Sequence, residues 1–349
     1  MHNLILNTLQ KHGFSAHFLR NDPHNWTLTE ESIDQVPIFY QQEMITFQNL
    51  YFKDQETTTS YDDLSMIITS GNRNIALWPL SYIETKETKN LTSQESAVKS
   101  PIFINDVSEK TTKKALDACL DTLIKITPTI NNKELLLSSR LPSINIDTWH
   151  RKLMDKKASI SIKHELFIDC SLPLDAIKRN FRKSYKSLIN RGAEYWEIDV
   201  IEDINKEAFD EFQQLHFAVS QRKTRNQNTW DYQHQIIGNK KAVLITMRDR
   251  ASRKMIGASL FQYTPWEGMY SVAAYNRNLY DKGVSHVIQF EAIKYLKEKN
   301  IRWYYIGRRP YTSDQPKPSE KELQIAYFKE GFATHIFPSM HFTLRTSKH

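Results

Sequence analysis

Three basic clusters and one run of small residues carry the side chains of this 349-residue chain whose types and spacing could do chemistry. The first cluster, Asn276-Arg277-Asn278-Leu279-Tyr280-Asp281-Lys282-Gly283, joins a strand-like run to a helical one. The free N–H groups and positive dipole end of a helix N-terminus favour an anion. Arg277 and Lys282 would add charge there, with Gly283 at the turn, so a phosphate-bearing donor could dock at this loop. The plainer reading is a connection whose charges are solvated.

The second cluster lies on residues 172–191, where Arg179, Arg182 and Lys183 are joined by Lys178, Lys186 and Arg191 with no acidic residue from Lys178 to Arg191. Like charges one turn apart repel unless an anion is near. Two readings stand: a solvated basic face, or a site for the phosphates of a nucleotide-sugar, coenzyme A or tRNA. The third cluster is Gln221-Arg222-Lys223-Thr224-Arg225. In the strand-like run Met269–Tyr275, Ser271, Ala273 and Ala274 are small enough for the backbone to approach the amide-bearing arm of a donor.

Several chemistries lack their residues. There is no Cys-x-x-Cys pair and no His-Glu-x-x-His for a metal, no Gly-x-x-x-x-Gly-Lys-Ser/Thr phosphate loop, and no Gly-x-Ser-x-Gly elbow, because Gly283-Val284-Ser285-His286 lacks the last glycine. Transfer onto an amine or hydroxyl remains. It requires a group that takes a proton, a group that stabilises charge on the donor carbonyl, and a frame that holds both substrates. Glu291, on the helix after the basic loop, is a candidate base, with Tyr275, Asp210 and Glu211 as alternatives. His216 sits on an apolar stripe and reads as a core histidine.

The elements that must position these groups are legible in the second half. Ala242–Arg248, Met255–Thr264 and Met269–Tyr275 are rich in β-branched and aromatic residues and are separated by short polar turns, which predicts an antiparallel meander. Helical spacing follows over Val284–Lys299, then a strand over Ile301–Gly307, a helix from Glu320 with Gly331 as C-cap, and a last strand over Phe332–Thr343. Ahead of them lie one helix over Leu172–Arg191 stopping at Gly192, a strand at Trp196–Ile201 and a helix at Lys206–Ser220. The first half alternates less regularly. A hairpin of Leu64–Thr69 with Ile75–Ile83, interrupted by Pro79, precedes a polar loop over Glu84–Lys99. A helix over Lys110–Ile126, a strand at Glu134–Ser138, a short helix over Ile146–Lys156 and a strand over Ile160–Cys170 complete it. Composition and pattern indicate an α/β protein of two domains.

The order strand, strand, strand, loop, helix, strand, helix, strand, together with Ala326-Tyr327-Phe328-Lys329-Glu330-Gly331-Phe332, resembles the C-terminal half of the FemAB-like transferases. Their two halves each have an acetyltransferase-like (GNAT) fold. The resemblance implies tandem GNAT-like domains with mixed central sheets flanked by helices, residues 1–170 a degenerate copy and 171–349 the catalytic one. It implies that Lys329 stabilises charge in the reaction, with Phe328 beside it at the substrate, and the helix with Arg179, Arg182 and Lys183 looks like the basic helix found at this place in the family; those three residues, with Arg222 of the third cluster, are candidates for binding substrate. Residue by residue, Lys329 would otherwise be a surface lysine supported by the dipole of its helix.

The chain departs from the pattern in two places: no long charged helical hairpin lies between Arg191 and Phe342, and Ala333 stands where the family usually has a second glycine. The missing hairpin favours acyl-coenzyme A over aminoacyl-tRNA as donor. The expected function is N-acyl transfer from a thioester to an amine of an amino-sugar or other cell-envelope precursor, the acceptor free or nucleotide-linked. Alternatives are aminoacyl transfer from tRNA and a non-catalytic module binding a polyanion. A net charge of +7 fits any anionic partner. No apolar run is long enough to span a bilayer, Met1–Asn7 has no secretory pattern, and Cys119 and Cys170 stand apart without a motif, so a reducing cytoplasm is expected.

Overall fold

The computed structural model describes residues 1–94, 97–138 and 146–346. They divide into two compact units, Met1–Lys163 with Pro338–His349, and His164–Phe337. The boundary expected after residue 170 therefore falls after Lys163, and the end of the chain returns to the first unit. The reason lies in pairing: His341–Arg345 ladder with Glu134–Ser138 of that unit, and Phe342 and Leu344 belong to its core.

The first unit begins with α1 (His2–Lys11), β1 (Ser15–Phe18), α2 (Pro23–Glu30) and α3 (Gln42–Lys53). It continues through β2 (Thr58–Asp63), β3 (Met66–Ser70), β4 (Arg73–Trp78), β5 (Ser81–Thr85), β6 (Lys89–Thr92), β7 (Val98–Lys99) and β8 (Ile102–Phe103). α4 (Glu109–Ile126), β9 (Glu134–Ser138) and α5 (Thr148–Asp155) complete it. One sheet has the order β1-β3-β4-β8 and another β2-β5-β6. The strand expected over Ile75–Ile83 is broken at Pro79, which has no N–H to give a ladder, and its two parts join different sheets. Of the loop expected over Glu84–Lys99, residues 95–96 lie outside the described range, and the rest contains β6 and β7. α4 turns Ala115, Leu116, Cys119, Leu120 and Leu123 into the core, as its spacing predicts.

β10 (Ser159–Asp169) leads into the second unit, which contains α6 (Leu174–Asn180), α7 (Lys183–Tyr195), β11 (Trp196–Ile201), α8 (Lys206–Ser220) and α9 (Gln227–Gly238). Next come β12 (Ala242–Asp249), β13 (Met255–Tyr263), β14 (Glu267–Tyr275), α10 (Val284–Glu298), β15 (Trp303–Arg308), α11 (Glu320–Glu330) and β16 (His335–Arg345). The strand order β11-β12-β13-β14-β15-β10 contains the expected meander, in register Leu244↔Leu260 and Leu260↔Val272. Val284, Val287, Ile288, Ala292 and Leu296 of α10 bury against it, in one core with Phe181, Tyr185, Phe261, Tyr304 and Phe332. Each fully buried Val, Leu, Ile or Phe side chain among them contributes roughly 1.5–3 kcal/mol of transfer free energy.

Two expectations are corrected here. The single helix over Leu172–Arg191 is two helices, because Phe181 takes an extended backbone (φ −63°, ψ 145°). Its ring thereby drops into the core against Phe332, 5.2 Å between centroids. Gly192 does not stop the second helix, which continues to Tyr195. Gly331 is the C-cap of α11 as expected, with φ −62° and not in the left-handed region. What excludes a side chain there is proximity, since a Cβ on Gly331 would lie 2.2 Å from the Tyr185 ring. The backbone N–H of Arg182 donates to the Gly331 carbonyl at 2.9 Å, fixing the approach. Gly331→Ala is accordingly expected to destabilise the chain by about 1–3 kcal/mol through overpacking. Urea unfolding checks this; a loss under about 0.5 kcal/mol, the range of ordinary surface changes, would show that the Tyr185 ring swings aside freely.

Candidate active site

The site begins where two parallel strands part. β14 and β15 pair at Glu267↔Trp303, Gly268↔Tyr304 and Met269↔Tyr305. Beyond Met269 this pairing ceases, while β14 stays laddered to β13 as far as Gly257↔Tyr275 and β15 to β10 as far as Glu165↔Arg308. Each strand keeps its outer partner and loses the inner one. The edge of Tyr270–Tyr275 that faces β15 is thereby open, and it forms one wall of a cleft of about 640 Å³.

The cleft is completed by residues from four other segments: His216 and Val219 of α8, Arg277 and Tyr280 of the loop, Ser285 and His286 of α10, and Gln324, Ile325, Phe328 and Lys329 of α11. Backbone N–H and C=O groups on an open edge are obligatory hydrogen-bonding groups. Small side chains at Ser271, Ala273 and Ala274 leave them approachable. Ser271 is held by donating to Gln262 Oε1 at 2.7 Å.

Lys329 stands at the fork. Its Nζ lies 5.3 Å from the Tyr270 ring centroid, and its side chain rests on Gly307, where a Cβ would come within 2.7 Å of Nζ. Gly307 has φ +131°, a conformation that only glycine adopts without strain. The residue is half-buried and borders the cleft. Among the described residues no hydrogen bond or ion pair holds the ammonium. Burial alone pushes the amine down to about 8, against the C-terminal dipole of α11, which favours the cation.

The remaining expected residues divide by position. Tyr275, Ser271, Ala273, Arg277 and Phe328 line the same cleft as Lys329. Tyr275 is buried, with its hydroxyl 2.6 Å from Ser259 Oγ and 3.1 Å from the Tyr270 hydroxyl. Burial pushes its phenol well above the ordinary value and that of Tyr270 up to about 12, so both are protonated near neutrality. Glu291 is outside the lining and pairs with Lys294 at 2.6 Å. Asp210 pairs with Lys206, and Glu211 with Arg248, each at 2.6 Å.

The basic residues are more dispersed than the sequence suggests. Lys282 borders a different pocket with Arg191 and Trp196, and Gly283 is buried beneath Leu188. Arg179 and Lys183 are exposed away from the cleft. Arg182 is engaged in structure: its guanidinium stacks 3.6 Å from the Tyr327 ring centroid and donates to the Tyr185 hydroxyl at 2.9 Å. Arg222 lines a neighbouring pocket that shares His216 with the cleft.

Two histidines join the site. His216, which the apolar stripe of α8 marks as a core residue, is half-buried edge-on to Trp230, 5.2 Å between centroids, and borders the cleft. His286 is buried edge-on to Tyr185 at 4.3 Å and Phe328 at 5.1 Å, with no hydrogen-bond partner for either ring nitrogen. Desolvation lowers both to about 4, aided by Arg225 at His216 and by Arg182 at His286, so both are neutral at pH 7. His286 escapes a sequence reading because its only signal is its place in the first turn after Gly283.

No family model matches the chain, and no curated protein matches it by sequence. Solved structures do match. FemX is 11% identical with a TM-score of 0.60 over 87% of this chain and 95% of that one. L-PGS from Bacillus licheniformis is 12% identical, with a TM-score of 0.59 over 94% and 93%. The C-terminal domain of a putative lysylphosphatidylglycerol synthetase from Agrobacterium fabrum is 11% identical, with a TM-score of 0.62 over 93% and 92%. The chain shares the fold of these structures, as its resemblance to the FemAB-like proteins leads one to expect. No helix among the described residues is long and apolar enough to cross a membrane, and those residues contain no cluster of three or more His, Cys, Asp or Glu side chains placed to hold a metal.

Because the Lys329 amine binds a proton less tightly folded than unfolded, its ionisation opposes folding below about 8, and its contribution becomes more favourable as pH rises from there toward the ordinary 10.5. Lys329→Met should therefore be at least as stable as the parent at pH 7 in urea unfolding. NMR titration of ¹³C-methylated lysines should show one resonance with a midpoint near 8 that Lys329→Met removes. A Lys329 resonance titrating with the bulk of the lysines would show that its ammonium is solvated.

Proposed function

We propose that the second unit is an acyl-transfer domain in which an acyl-coenzyme A donor lies along the open edge of β14 and its acyl group is passed to an amine. The observation that carries this reading is the parting of β14 and β15 with an unpaired, desolvated lysine at the fork. An extended amide-bearing arm can add to Tyr270–Tyr275 as a strand adds to a sheet edge, and Arg277 stands at the end of that edge for a phosphate.

In the reaction the acceptor nitrogen attacks the thioester carbon, the carbonyl oxygen gains charge, and the C–S bond then breaks as thiolate leaves. Lys329, mostly protonated near neutrality, stabilises that oxygen and can supply the proton that the thiolate needs. Its desolvation strengthens the interaction, because charges attract more in a low-dielectric site. The acceptor nitrogen becomes strongly acidic once its bond to carbon forms, so even a weakly basic neutral imidazole can take its proton. His216 is placed for this at the cleft wall. A small-molecule or nucleotide-linked sugar amine is the acceptor class that the FemAB-like likeness suggests, and aminoacyl-tRNA is the rival donor.

Calorimetric titration with acetyl-coenzyme A and, at matched ionic strength, with bulk aminoacyl-tRNA tests the donor. Saturable binding of the coenzyme is expected; binding of tRNA alone would replace the donor, and binding of neither would contradict the transferase reading. With a turnover assay in hand, Lys329→Ala should lower kcat by about 10²–10³-fold, the cost of removing one charge-stabilising group, while far-ultraviolet circular dichroism stays unchanged. An unaltered kcat would remove Lys329 from the chemistry.

A further inference from the structure

Lys329 is the only lysine among the described residues that line the cleft, and no cysteine is among them. Lining hydroxyls need a base to become nucleophiles, and those of Tyr275, Ser271 and Ser220 are already hydrogen-bonded. An amine needs only to be without its proton. The surroundings of Lys329 favour that form. Among the described residues no hydrogen bond or ion pair holds its ammonium, and the Tyr270 ring centroid lies 5.3 Å from Nζ. The elements packed around it bring no free anion. On α11 itself, Glu330 is taken by Arg309 at 2.9 Å. β14 brings the protonated phenols of Tyr270 and Tyr275, and β15 the exposed Arg308. α8 and α10 bring His216 and His286, both neutral at pH 7, and Arg277 of the loop is a cation. With the amine pushed down to about 8, roughly one molecule in ten carries it neutral at pH 7, some three-hundredfold more than for a lysine at the ordinary 10.5.

The same amine stands at the fork of β14 and β15, beside the open edge along which a thioester donor would lie. As a cation it stabilises the donor's carbonyl oxygen. In the neutral fraction it is a nucleophile next to the carbonyl carbon. We infer that Lys329 is a self-acylation site: when no acceptor amine is bound, its Nζ attacks the thioester and the cleft is left carrying an acyl-lysine. The Nζ lone pair forms the N–C bond, the C–S bond breaks with its electron pair on sulfur, and the proton lost from nitrogen ends on the thiolate. The products are an amide and the free thiol of coenzyme A, with no oxidant or further reactant required. An amide is more stable than a thioester, so the step runs one way. Acyl-lysine has no charge, and the modified cleft loses the group that stabilises the carbonyl oxygen. An acceptor amine that takes the acyl group first spares the lysine, so the device ties transfer capacity to acceptor supply. The inference rests on the transferase reading for its donor, but the reactivity of the amine does not.

Peptide mass spectrometry of the full chain after incubation with acetyl-coenzyme A tests the site, and a parallel incubation uses S-acetyl-N-acetylcysteamine, a thioester with no nucleotide to bind. Lys282, Lys254 and Lys223, which line neighbouring pockets, serve as controls within the same molecule. The account expects the Lys329 peptide to gain one acetyl group at least about tenfold faster than the control peptides, since its neutral fraction exceeds theirs by more than that. Its rate should climb from pH 6 to 8 and level off above, whereas a solvated lysine keeps accelerating toward pH 10. Lys329→Arg, which keeps a cation, should lose the modification without accelerating it elsewhere. Labelling of Lys329 no faster than of the controls with either thioester, or a rate still climbing at pH 10, overturns the inference. Calorimetry with acetyl-coenzyme A separates the two readings. Binding of the coenzyme without selective labelling defeats self-acylation alone, whereas selective labelling by the small thioester without coenzyme binding upholds the reactive lysine and defeats the transferase reading.

Discussion

The structure of the second unit depends on one broken ladder. After Met269↔Tyr305 the strands β14 and β15 no longer pair with each other, although each stays laddered on its far side across one register shift. A sheet interior with unpaired N–H and C=O groups costs free energy for every group that water or a ligand does not satisfy. The outer pairings continue on both sides of the opening, and α10 packs on β14 and α11 on β15. Everything placed at the fork follows from this: the accessible backbone of Tyr270–Tyr275, the glycine at 307, and the lysine that lies over it.

Lys329 illustrates how the frame sets chemistry. As the last-turn lysine of a helix it would be a solvated cation, and the dipole would favour its charge. Instead Tyr270 and Gly307 enclose its side chain and no anion compensates it, so the proton is held less tightly. At this residue a polar group is kept unsatisfied at a cost in folding stability near neutrality. The two neutral histidines share that property. Their environment excludes the imidazolium and leaves their nitrogens available as hydrogen-bonding groups.

Much of the second unit was legible from periodicity, because its strands are short, apolar and separated by polar turns, and α10 carries a full apolar stripe. The meander and α10 could be read for that reason, α11 from its terminal glycine, and the string around Lys329 only from its resemblance to the FemAB-like transferases. What stayed hidden was set by long-range contact. The break at Phe181 depends on a core slot between Phe290 and Phe332 that no local pattern encodes. The return of His341–Arg345 to the first unit depends on pairing with β9, more than two hundred residues upstream. The basic helix reads as one phosphate site, yet Arg182 is committed to Tyr185 and Tyr327 while Arg179 and Lys183 point to solvent. His286 was invisible because a lone histidine in a first helical turn has no spacing partner.

The central claim is that a ligand completes the ladder that β14 lacks. Hydrogen exchange of the backbone amides, followed by mass spectrometry with and without saturating acetyl-coenzyme A, measures this directly. The account predicts that peptides covering Tyr270–Tyr275 exchange markedly more slowly with the coenzyme bound, while β12 and β13 are unchanged. Bound coenzyme that leaves Tyr270–Tyr275 exchanging as before, or that protects a different strand, would contradict it.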